Sequence, residues 1–90
     1  MNIDLKTFQK LVLLAKEHPK DHPYMVRSLL HGFAQEADVA QWSVAGDAVN
    51  KLAQEHALPK AVREIVENPS LSEDDRVHQA FERISAVLVH

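Results

Sequence analysis

Apolar positions in this chain recur every three to four residues almost from end to end, the signature of amphipathic helices. Leu5, Phe8, Val12 and Ala15 share one face of a helix expected over residues 4–17. Leu11 and Leu14 widen that face, and Leu13 points elsewhere. So wide a stripe suits either a central helix or one that also meets a second chain. Pro19 and Pro23 end this helix and start the next, with Pro23 suited to a first helical turn. The second helix, 23–37, would bury Val26, Leu29, Leu30, Phe33 and Ala37. A third, 38–55, begins near Asp38 as a candidate N-cap and places Trp42, Ala45, Val49, Leu52 and Ala53 on one face. Nothing around Asp38 forbids continuity with the helix before it. Gly46 falls inside this third helix, where it costs stability; close approach of another helix, or a local bend, would account for it.

A short fourth helix is expected over 59–67, opened by Pro59 and closed by Pro69, with Leu58, Val62, Ile65 and Val66 apolar. The fifth, 72–89, has the clearest start. Ser72 is a candidate N-cap, and Glu73, Asp74 and Asp75 complement the positive end of the helix dipole. Ser72 and Asp75 resemble a capping box. Val77, Phe81, Ile84 and Leu88 then recur on one face. No strand-like alternation occurs. The expected fold is all-α, a compact bundle of four to five helices in one domain.

Composition narrows what such a bundle can do. There are no cysteines, which removes disulfides, thiolate metal sites and thiol catalysis. The longest strictly apolar run, Leu11 to Ala15, is five residues, against about 20 for a membrane span. The N-terminal MNIDLKTFQK has no signal-peptide pattern, so a cytoplasmic protein without a membrane partner is expected. The net charge is −3, and no block of the chain is strongly basic: residues 1–37 carry five Lys/Arg and four Asp/Glu, residues 48–71 three of each. That counts against nucleic acid, whose binders draw much of their affinity from phosphate neutralisation.

Candidate chemistry is sparse. His18 and His22 are four apart but lie in the proline-bounded loop, and His78 and Glu82 read as a solvent-facing helical pair. His31 could be half-buried or a pH-sensitive contact. Gly32 and Gly46 are isolated, so no phosphate-cradling loop exists, and no serine lies in a nucleophile elbow. The expectation is a protein that is not an enzyme and holds no metal or cofactor.

Two binding readings follow. Apolar residues off the main stripes could form a contact patch for another protein or a second copy: Leu13, Tyr24, Met25, Val87 and Val89. A modest interface would bury ~600 Å² per partner. This is the leading expectation, a small regulatory or adaptor factor of bacterial or phage style. The alternative rests on the segment from Ala48 to Leu88. It has the pair Leu52-Ala53, a turn at His56-Ala57 followed by Leu58, a short helix, the loop Asn68-Pro69-Ser70-Leu71 and a capped helix at Ser72. In this it resembles helix-turn-helix regulators of the lambda-repressor and antitoxin type, which implies DNA recognition by residues 48–71. Arg63 would then reach bases or phosphates, with Lys60 and Lys51 on phosphates. The chain departs from that pattern. Ala57 stands where glycine is usual and φ > 0 is preferred. Val62 and Ile65 come one residue early. The exposed set Lys60, Arg63 and Glu64 is a poor reader of bases.

Overall fold

The computed structural model describes residues 3–35 and 46–89. Five helices run through them: α1 Leu5–Glu17, α2 Pro23–Gln35, α3 Asp47–Glu55, α4 Leu58–Val66 and α5 Glu73–Leu88. They pack as an all-α bundle around one core. None of them is long and apolar enough to cross a membrane.

Each helix begins for a local reason. Asp4 caps α1, its carboxylate accepting the Thr7 backbone N–H at 2.7 Å. That backbone hydrogen bond, followed by one from the Thr7 side chain, holds the Asp4 carboxyl below its ordinary value. α2 begins at Pro23, whose fixed φ suits a first turn. Ser72 caps α5 by accepting the Asp75 N–H at 3.2 Å. Glu73, Asp74 and Asp75 fill the first turn, where they complement the dipole as the sequence pattern implies. α4 has no side-chain cap. It is preceded by Ala57 at φ 50, ψ 38. This is the left-handed region, which a Cβ disfavours by about 1.5 kcal/mol.

The third helix differs from expectation. Gly46 is extended (φ −79, ψ 170) and serves as the N-cap, so α3 starts at Asp47 and the glycine does not lie inside it. The proposed start at Asp38, the end of the second helix at Ala37, and the positions of Trp42 and Ala45 fall outside the described residues. The glycine is explained by close approach, of the N-terminal segment rather than of a helix. Its N–H donates to the Ile3 carbonyl at 3.1 Å, and a Cβ there would sit 2.6 Å from that oxygen.

The core draws on all five helices. Phe8, Val12 and Ala15 of α1 meet Leu29 and Phe33 of α2, Val49 and Ala53 of α3, Leu58 and Val62 of α4, and Phe81, Ile84 and Leu88 of α5. Phe8 and Phe33 stack edge to face with centroids 5.9 Å apart, a geometry that adds to their area burial. The broad stripe of α1 is narrower in fact. Leu11 is half-buried, and Leu14 is 38% exposed beside Leu13 at 37%. Polar ties lock the ends. Gln9 Nε2 donates to the Leu88 carbonyl, joining the start of α1 to the end of α5. Lys16 Nζ lies 3.3 Å from Ser85 Oγ and 3.4 Å from Glu82 Oε1.

Candidate functional site

Helices α2 and α5 do not close on each other. Between them, with the end of α4 at one side, lies an open groove of about 770 Å³. Val26, Leu30 and Ala34 of α2, Val77 and Phe81 of α5, and Val66 of α4 supply its apolar lining. Their burial shows how the concavity arises. Val26, Ala34 and Phe81 belong to the core, whereas Leu30, Val66 and Val77 are only half-buried against it. Each of these last three keeps apolar surface turned toward the open side.

Charge is arranged around that lining. Lys16, Lys20 and Arg27 stand where α1 ends and α2 begins; Glu73 and Asp74 stand at the start of α5, with Arg76 beside them. Lys16 is held by Ser85 and Glu82. Arg76 Nε donates to the Asn68 carbonyl at 3.0 Å. Lys20 and Arg27 are exposed and make no ion pair among the described residues. His31 and His78 lie at the rim, both exposed. A smaller recess of about 380 Å³ is lined by Phe8, Leu11, Met25 and Leu29 on the other side of α2.

The residues expected to form a protein-binding patch differ in exposure. Val87 is 9% exposed and belongs to the core, so its assignment to a free surface is corrected. Val89 and Met25 are half-buried against the core, which corrects those assignments in part. The reason is tertiary: the last turn of α5 packs on α1, and Met25 lies over the smaller recess. Leu13 remains exposed on α1 and Tyr24 is 82% exposed on α2; neither lines the groove. The sequence pattern does not reveal the groove, because Leu30, Val66 and Val77 fall on the apolar faces of their helices. Its one sequence signal is the doubling of apolar residues at Leu29-Leu30 and Ile65-Val66, which makes each stripe wider than one contact requires.

The three cations of the helix-turn-helix reading are spread differently. Lys51 and Lys60 are exposed. Arg63 is half-buried and its Nε donates to the Ala34 carbonyl at 2.9 Å, tying α4 to the last turn of α2. Ala57 has the positive φ that the turn position prefers. Among the histidines, His18 Nδ1 lies 3.8 Å from Asp21 and His78 Nε2 lies 4.0 Å from Glu82, both as exposed pairs. Among the described residues no three His, Asp or Glu side chains converge on a possible metal position.

Comparison of the chain with known protein families, with curated proteins and with solved structures finds no match.

Proposed function

We propose that this chain is a small non-enzymatic regulatory or adaptor protein of the cytoplasm, which binds a helix of another protein in the groove between α2 and α5. One observation carries the reading: an apolar lining that the described helices leave open, bordered by cations without an ion pair among the described residues. An amphipathic helix laid into an apolar groove is a recurring mode of peptide recognition. The half-buried Leu30, Val66 and Val77 would lose their remaining water on docking, at roughly 25 cal/mol per Å² of apolar area. The exposed Leu13 and Tyr24 lie off the groove and could extend the contact only for a larger partner.

A second reading keeps one supporting observation. Ala57 turns in the left-handed region between two short helices, as a helix-turn-helix regulator reading DNA through residues 48–71 would require. Against it stands Arg63, the best candidate base contact, whose guanidinium is already engaged at Ala34.

Fluorescence anisotropy separates the two. The probes are a labelled helical peptide with a leucine stripe and a labelled random-sequence duplex. Binding of the peptide that weakens in a Leu30→Lys variant of unchanged circular dichroism supports the groove. An Arg27→Glu variant, altered at an exposed position, provides the same test if Leu30→Lys does not fold. Binding of the duplex that falls steeply with salt and needs Lys60, with the peptide inert, would overturn the proposal in favour of DNA.

A further inference from the structure

We infer that the groove accepts its helix in one orientation, with an acidic end of the partner over Lys20 and Arg27 and a basic end over Glu73 and Asp74. This deepens the groove reading above and rests on it.

The two charge groups lie at opposite ends of the groove. Lys16 contacts Glu82 and Ser85 in the second half of α5, so the end of α1 and the loop carrying Lys20 sit there. Glu73 begins α5, nine residues before Glu82. At the helical rise per residue that separation is about 14 Å along the axis. The far end is fixed independently. Arg63 holds the last turn of α2 to α4, and Arg76 holds the first turn of α5 to Asn68, just beyond α4. The groove therefore runs from a cationic end, where α2 starts, to an acidic end, where α4 stops and α5 starts.

The length of the groove sets the size of the occupant. Its α2 wall runs from Pro23 to Ala34. That is about 17 Å of helix, which matches roughly three turns of a partner. The apolar lining extends along this length and favours either direction equally. Direction must come from the ends, because like charges set opposite each other disfavour the wrong pairing. Both ends are available for pairing. Lys20 and Arg27 at one end, and Glu73 and Asp74 at the other, all lack an ion pair among the described residues. The acids complement the α5 dipole as well, and both remain exposed.

The test uses two designed peptides with the same leucine stripe and the same charged residues. One carries its glutamates at one end and its lysines at the other; the second has them interspersed. Each is spin-labelled at either end and added to isotope-labelled protein. The expected result is that a label at the glutamate end broadens the amides of Lys20 and Arg27, and a label at the lysine end broadens those of Glu73 and Asp74. The polarised peptide should bind about tenfold more tightly, equivalent to ~1.4 kcal/mol. Replacing Lys20→Glu and Arg27→Glu together should remove that advantage and the directional pattern. Docking in the groove with the amides at both ends broadened alike by either label would overturn the orientation and leave the groove reading intact. Groove amides unmoved by either peptide would overturn both.

Discussion

The turn between α3 and α4 and the groove between α2 and α5 are made of similar material, apolar side chains with flanking cations, yet they end in opposite conditions. Around the turn, Leu58, Pro59 and Val62 are buried and Arg63 is bound to the Ala34 carbonyl. Its most distinctive side chains already have partners within the chain. Along the groove, Leu30, Val66 and Val77 are half-covered, and Lys20 and Arg27 have no ion-pair partner among the described residues. A motif outline therefore points to the first region, but unspent contact capacity points to the second. Binding surfaces are found where a fold runs out of internal partners for groups that water solvates poorly.

The contrast can be broken by substitution. Leu58 is fully buried, whereas Leu30 on the groove wall is half-buried. Leu58→Ala should cost about 3 kcal/mol, while Leu30→Ala should cost about 1 kcal/mol and lower peptide affinity. Urea denaturation with unchanged m-values measures both; equal losses would mean that the groove wall is core. Gly46→Ala forces a Cβ into the Ile3 carbonyl. It should cost about 2 kcal/mol through displacement of the N-terminal segment, without touching the groove. Arg63→Ala removes a charged donor from the Ala34 carbonyl. The loss should be about 1.5 kcal/mol, and lysine should restore little of it. Were Arg63→Ala neutral in stability but damaging to DNA affinity, the turn would regain its claim to function.

Smaller effects sharpen the picture of the turn. Ala57→Gly relieves a left-handed alanine. It should stabilise the protein by about 0.5 kcal/mol after the glycine's entropy is counted, raising the melting temperature by a few degrees. The smallest effect concerns pH. Asp4 is held below its ordinary value of 3.8 in the folded chain. Its ionised form therefore contributes stability above that pH, and the contribution is lost as pH falls through the lower folded-state value. Asp4→Asn should flatten that part of the acid limb of a stability–pH curve, and an unchanged limb would show that other carboxylates dominate it.

Much of this fold was legible because periodicity and caps act locally. The α5 start at Ser72 and its buried stripe of Phe81, Ile84 and Leu88 follow from spacing alone. So does the Phe8, Val12, Ala15 face of α1. That Ala57 would want φ > 0 came from the helix-turn-helix resemblance and not from periodicity, and its φ is 50. What periodicity cannot reveal is coverage. It marks Leu30 and Val66 as apolar-face residues without showing that, among the described residues, their burial stays incomplete. It left Val87 as surplus because the packing of the last α5 turn against α1 depends on contacts between distant parts of the chain, such as Gln9 with Leu88. The helical pattern places Gly46 inside a helix and suggests a neighbouring helix as its close contact; the contact is instead the Ile3 carbonyl, in a segment with no helical pattern to betray it.

The most direct test of the central claim is an amide chemical-shift map of the labelled protein with a leucine-striped helical peptide. Shifts are expected at Val26, Leu30, Val77 and Phe81, with Lys51, Lys60 and Glu64 silent. Shifts confined to the α3–α4 turn, with the groove unmoved, would contradict it.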